Sequence, residues 1–263
     1  MFASSLDVTD AFLNVKMHKS FQKYLCFYFN GRVYMFLKLP FGLTLAPWGF
    51  SRLMRPIKRT LRSLGVQVSS FLDDILILAL FKDLCALLTT WTADMLVWLG
   101  FSINEAKSER IPSQSIVYLG VLFNLHTCSM ALPPEQVHNV ISQCEQLCHS
   151  STTTRRILES FLGLLNFAGP MIRLGKLFTT PIIIWMNSFS SARTRDVRFP
   201  VTEGLRLLLR PFLRASFLSR PSPFRTQVPS LETLTDASGV GWSGVIRHHR
   251  VQDTWSKKEL FAY

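Results

Sequence analysis

Two adjacent aspartates, Asp73 and Asp74, interrupt the apolar run VQVSSFLDDILILAL, and few local structures accommodate that pattern. The flanks are rich in β-branched and aromatic residues, so the run reads as two strands that reverse at the acidic pair. Asp-Asp is a poor choice for a two-residue hairpin turn, which favours Asn-Gly or Asp-Gly. A solvated acidic loop tip is one reading. The other is that two like charges at the end of buried strands serve a cation, for which carboxylate oxygens and Mg²⁺ are well matched. A third carboxylate would complete such a site, and Asp7 is the candidate. LDVTDAF puts it at the end of a second apolar strand, with Asp10 as a turn or cap residue just beyond. One face would then hold Asp7 beside Asp73, with Asp74 more peripheral.

The rest of the chain alternates strands and helices, as an α/β domain does. Residues 3–15 read as a strand entering a turn, and residues 26–39 as a hairpin around Asn30-Gly31. A helix is expected from Ala46 to Leu64, opened by Pro47, kinked at Pro56 and closed by Gly65. A second is expected from about Asp83 to Leu99, ended by Gly100, with one more strand or hairpin over 115–124. PPEQVHNVISQCEQLCHS then opens a helical region running to about Asn187. Residues 188–230 gather Ser, Arg and Pro and read as a basic linker around one helix. LETLTDASGVGWSGVI reads as a final hairpin around Gly239 to Gly241.

Composition narrows the function classes. Lys and Arg total 29 against 17 acidic residues, a formal charge of +12, which favours nucleic acid over an anionic membrane surface as the partner. No apolar run is long enough to span a bilayer, and no secretory signal pattern opens the chain. Five irregularly spaced cysteines do not suggest a disulfide framework, and a reducing compartment fits best, although the sequence assigns no location. Cys144, Cys148 and His149, with His138 upstream, lack the paired short loops of zinc modules and read as helix and core residues.

Five segments in order resemble the motifs of reverse transcriptases, most closely those of DIRS-like retrotransposons. LDVTDAF resembles motif A, LPFGLTLAPWGF motif B, FLDDILI motif C, GFSINEAKSE motif D and VYLGVLF motif E. Phe71 stands where many relatives have Tyr. The resemblance implies a right-hand polymerase palm over 1–125 with part of the fingers, a helical thumb and connection over 126–187, the linker of 188–230, and the beginning of an RNase H-like fold over 231–263. It carries over Asp7, Asp73 and Asp74 as ligands of two Mg²⁺ ions, with Mn²⁺ as the alternative. Such a pair of ions activates a 3′-hydroxyl and steadies departing pyrophosphate, the chemistry of nucleotidyl transfer.

Phe12 matches the aromatic residue that excludes a 2′-hydroxyl, which implies deoxynucleoside triphosphates as substrates and disfavours an RNA-directed RNA polymerase; an ordinary core role is its alternative. Phe41 and Gly42 match the loop packed against the nucleotide and template base. Lys107 matches a lysine that protonates or balances the pyrophosphate. Tyr118, Leu119 and Gly120 match the strand that grips the primer end. Arg52, Arg55, Arg59 and Arg62 recur at helical spacing and form a stripe suited to phosphates of an RNA or DNA template and its primer.

Downstream, Asp236 matches the first RNase H metal position and Glu259 the second, while the family's further carboxylates have no counterpart in the chain, so RNase H activity is not expected. The family's basic fingers residues lie before motif A, which here begins at Leu6, and the chain is therefore expected to be a piece of a larger polyprotein. A catalytically inactive nucleic-acid-binding remnant of a decayed element is the rival expectation.

Overall fold

The computed structural model describes residues 1–172, 174–189, 196–224 and 233–256. The chain forms two compact units, Met1–Ser129 and Met130–Tyr263.

In the first unit the strands are β1 (Phe2–Thr9), β2 (Cys26–Phe29), β3 (Arg32–Met35), β4 (Gln67–Phe71), β5 (Asp74–Ala79), β6 (Ser102–Ile103), β7 (Glu109–Ser113), β8 (Ser115–Tyr118) and β9 (Val121–Asn124). Its helices are α1 (Lys19–Gln22), α2 (Ala46–Ser63) and α3 (Lys82–Trp98), with a 3₁₀ turn at Ala11–Asn14. The main sheet runs β4-β5-β1-β6, and β7 also pairs with β1. Strand β1 is its centre because alternate residues suit opposite environments. Leu6 and Val8 are buried on one face with Ile75 and Ile77 of β5, against Phe50, Met54 and Leu61 of α2 and Ala93 and Leu96 of α3. Ser4 on that face is also buried and hydrogen-bonds Thr89 of α3, so the polar group is satisfied.

The expected helices are present. Helix α2 continues through Pro56 without ending there, and Gly65 and Gly100 follow the two helices with φ of 85° and 91°, the left-handed conformation that stops a helix. The β2–β3 hairpin turns on Asn30 and Gly31, both at positive φ. Neither of its faces is buried. Its aromatic residues pack on each other instead, with Phe27 stacked on Tyr34 at 5.6 Å. Residues 115–124 form a hairpin rather than one strand, turning at Leu119 and Gly120.

The second unit contains α4 (Pro134–His149), α5 (Arg155–Ala168), α6 (Gly175–Phe189), α7 (Glu203–Leu209) and α8 (Ala215–Leu218). Short strands β11 (Thr152–Thr154) and β12 (Arg198–Pro200) pair antiparallel, β10 (Ser129–Ala131) is equally short, and β13 (Ser222–Pro223) has two residues. In α5 the buried residues Leu158, Phe161, Leu162 and Leu165 fall at helical spacing, and Thr154 caps the helix by accepting a hydrogen bond from Ile157 N at 3.3 Å. The stretch read as a linker is packed where it is described: Leu205, Leu209, Phe212 and Leu218 are fully buried. Its apolar residues recur at helical spacing, and that periodicity outweighs its Ser, Arg and Pro content. Cys144 lies in the core of this unit and burial pushes its thiol far up.

The last described segment is a meander of β14 (Thr233–Ala237), β15 (Gly241–Ile246) and β16 (His249–Thr254). The hairpin around Gly239 to Gly241 is present. Strand β16 has no buried face, so its sequence carries no alternation by which to find it.

Candidate active site

The acidic pair does not itself form the hairpin turn. Phe71 pairs with Asp74, so the two turn residues are Leu72 and Asp73, and Leu72 takes the positive φ at 53°. Leu72 can hold that strained conformation because its side chain packs on the core. Asp74 is the first residue of β5, and its partner across to β1 is Asp7. Directly opposed residues of an antiparallel pair point to the same face, so Asp7 and Asp74 share the face opposite Leu6 and Val8. The neighbour expected beside Asp7 was Asp73; the register gives Asp74 instead. Asp73 is tied in through its backbone, its carbonyl accepting from Val8 N at 3.1 Å.

Two segments fix this corner. The turn between β6 and β7 brackets Asp7: Asn104 N donates to the Asp7 carbonyl at 2.8 Å, and Asp7 N donates to Ser108 Oγ at 3.0 Å. Ser108 Oγ in turn donates to the Asn104 carbonyl at 2.7 Å, closing the loop. On the other side the Tyr118 hydroxyl donates to the Asp74 carbonyl at 3.3 Å. Sequence reasoning did not find Asn104, Ser108 or the Tyr118 hydroxyl as supports. The Asn that opens a short polar turn was the available signal.

The electrostatics follow from that crowding. Partial burial raises the Asp74 carboxyl above its ordinary value of 3.8, and the charges of Asp73 and Asp7 raise it further, while Lys107 pulls it down. The fold thus brings Asp7, Asp73, Asp74 and Lys107 into one field. Tyr118 is also raised, first by burial and then by the charge of Asp74, against the hydrogen bond with Ser69 that lowers it. Among the described residues no three His, Cys, Asp or Glu side chains converge into a ready-made metal cage. The donor set nevertheless fits a hard divalent cation, since its like charges resist convergence until a cation neutralises them.

Next to the carboxylates, Phe12 lies in the 3₁₀ turn that follows β1. Its ring meets Phe50 edge-on at 5.6 Å and Phe41 at 5.2 Å, so it is half in the core and half towards the loop carrying Phe41 and Gly42. Phe41 is exposed and Gly42 has φ 89°, with nothing near the place a Cβ would take. The requirement at Gly42 is conformational, not one of space.

On α2 the arginines divide. Arg52 lies over the Trp48 ring at 5.0 Å, and Arg55 and Arg59 are exposed. Arg62 donates twice to the Val68 carbonyl, at 3.2 and 2.9 Å, and so serves the fold rather than an open stripe. Residues 11–72 contain ten Lys and Arg and no Asp or Glu, so this stretch carries charge of one sign only. In the second unit Asp236 sits on β14 opposite Ser243, and its carboxylate accepts from Ala237 N at 3.0 Å. Glu259 lies outside the described residues.

The family described as reverse transcriptase (RNA-dependent DNA polymerase) matches residues 2–123. Protein P of a hepatitis B virus genotype D isolate is 24% identical over 242 residues, covering 91% of this chain and 27% of that protein. The Gag-Pol polyprotein of walleye dermal sarcoma virus is 28% identical over 163 residues, covering 62% of this chain and 9% of that protein. The chain therefore spans about a quarter or less of the length of these relatives. The fold resembles foamy viral protease-reverse transcriptase bound to double-stranded DNA, with a TM-score of 0.72 at 16% identity over 98% of this chain and 44% of that one. The same viral protein with an RNA/DNA hybrid gives 0.70 at 17% identity, over 98% of this chain and 34% of that one.

Proposed function

We propose that the chain, whose residues 2–123 match the reverse transcriptase family within a mixed α/β fold, is a nucleotidyltransferase that extends a primer with deoxynucleotides on an RNA or DNA template. The observation that carries this is the pairing of Asp7 with Asp74, with Asp73 in the adjoining turn and Lys107 in the same field. Asp7 and Asp73 would hold two Mg²⁺ ions, or Mn²⁺, and Asp74 would shape the charge around them. Bound there, the metals would supply Lewis-acid activation of the primer 3′-hydroxyl and neutralise pyrophosphate.

The chain's own residues do the rest. Phe12, braced by Phe50 and Phe41, presents a ring edge to the sugar and excludes a 2′-hydroxyl. Lys107 gives a proton or a balancing charge to the leaving group. The β8–β9 turn at Leu119 and Gly120 steadies the primer end, and Arg52, Arg55 and Arg59 track phosphates. Motif order supports a DIRS-like retrotransposon as the source lineage, and the β14–β16 meander with Asp236 supports the beginning of an RNase H-like fold in residues 231–263. Residues 126–187 are read as thumb and connection.

Primer extension on an RNA template with Mg²⁺ and deoxynucleotides tests the proposal. Synthesis lost in Asp73→Asn/Asp74→Asn carries it. Template binding with no synthesis by the parent chain favours the inactive remnant, and equal use of ribonucleotides favours an RNA polymerase.

A further inference from the structure

A second cationic site lies in the second unit, far along the sequence from the carboxylates. A cavity of about 380 Å³ opens between α6, α7, the 3₁₀ turn Arg210–Leu213 and α8. Arg210, Arg214 and Arg220 line it, all three exposed, and among the described residues no ion pair or side-chain hydrogen bond engages their guanidinium groups. Residues 204–231 contain five arginines, no lysine and no acidic residue. Unpaired like charges gathered at one cavity repel, and an anion relieves that repulsion. The exclusive use of Arg points to planar, two-pronged recognition of phosphate oxygens.

The floor of the cavity is apolar. Phe217 and Phe178 meet edge-to-face at 4.9 Å, and Leu207 adds an exposed aliphatic side chain. Phe217 also meets Phe212 at 5.9 Å, and Phe212 meets Phe161 at 6.3 Å, so the floor is continuous with the core and held in place by it. A ligand that satisfies both parts carries phosphate at one end and a flat ring at the other. A nucleotide of a single strand has both within one unit, whereas a duplex hides its base faces.

We propose that this cavity binds single-stranded nucleic acid, with backbone phosphate on Arg210, Arg214 and Arg220 and a base on Phe217. The site does not depend on the polymerase proposal, since it requires neither metal nor catalysis.

The test uses the full chain in EDTA, so loss of polymerase activity cannot imitate its failure. An oligodeoxythymidine about ten nucleotides long carrying bromodeoxyuridine is bound, photo-crosslinked and mapped by mass spectrometry. A cross-link within residues 207–220 is expected. It should fall at least tenfold in Arg210→Gln/Arg214→Gln/Arg220→Gln, with the salt dependence of binding shallower by about 2 in log–log slope. Ser216→Glu places a negative charge at an exposed cavity position with little threat to folding and should have the same effect. Phe217→Leu should weaken binding of the thymidine strand and leave an abasic strand unchanged. Cross-links confined to residues 1–129, or a triple variant that binds as the parent does, would overturn the proposal. So would displacement of the strand by millimolar inorganic phosphate alone, which marks a simple anion site, or by phosphatidylserine vesicles, which marks a lipid surface.

Discussion

Asp7 and Asp74 are direct cross-strand partners on β1 and β5, so two carboxylates share one face of the sheet beside the Leu72–Asp73 turn. Everything else at the corner serves that juxtaposition. Asn104 and Ser108 hold the Asp7 backbone from one side and Tyr118 holds the Asp74 carbonyl from the other.

Placing these charges together opposes folding, and the pH dependence has a definite sign. Asp74 holds its proton more tightly in the folded chain than at its ordinary value of 3.8, so its ionisation costs folding free energy. That cost is absent well below pH 3.8 and grows as pH rises through the raised folded value. Asp74→Asn should therefore melt at a higher temperature than the parent at neutral pH, with the difference vanishing near pH 3. Equal melting temperatures at neutral pH would contradict this account. Mg²⁺ should raise the parent's melting temperature and do less for Asp7→Asn/Asp73→Asn.

Removing the Tyr118 hydroxyl should loosen the acidic hairpin without emptying the core. Tyr118→Phe keeps the ring and loses the hydroxyl's hydrogen bonds with the Asp74 carbonyl and with Ser69, a change of about 1–2 kcal/mol in urea unfolding. Faster amide exchange confined to residues 71–75 would identify the lost contact as the cause.

Much of this site was legible in the sequence, and the limits have physical causes. Asn30-Gly31, Gly65 and Gly100 announced their turns and helix ends because few residues accept positive φ. Leu72 hid the true acidic turn, since leucine gives no sign of a left-handed backbone until the packing that imposes it is known. Asp7 could be paired with the acidic hairpin by strand pattern, but whether Asp73 or Asp74 lay opposite depended on register. The supports from Asn104 and Ser108 act through backbone groups across 101 residues for the Asp7–Ser108 contact, a separation that periodicity does not reach.

The arginines of α2 should separate into two classes. Arg62→Ala removes both donors to the Val68 carbonyl and should cost about 1–2 kcal/mol of stability. Arg55→Gln/Arg59→Gln should leave stability unchanged, weaken duplex binding and reduce the log–log salt slope by about 2. Fluorescence anisotropy over a salt series, beside thermal melts, separates the two.

Substrate choice should follow the ring that Phe50 and Phe41 brace. Phe12→Val should raise use of ribonucleotides relative to deoxynucleotides by about tenfold or more in single-nucleotide extension. Gly42→Ala in the adjoining loop should cost about 1 kcal/mol through its φ of 89° alone, since no atom crowds the added methyl group.

We propose metal-dependent nucleotidyl transfer by Asp7 and Asp73, with the paired Asp74 shaping the charge around the metals. Its most direct test is single-nucleotide primer extension on an RNA template in Mg²⁺, comparing the parent chain with Asp7→Asn and Asp73→Asn while template binding is measured in parallel. Extension by the parent is expected, with its loss by at least a hundredfold in either variant while binding is retained, about 2.7 kcal/mol or more of transition-state stabilisation. Extension that persists in both variants, or a parent chain that binds template-primer and adds nothing, would contradict it.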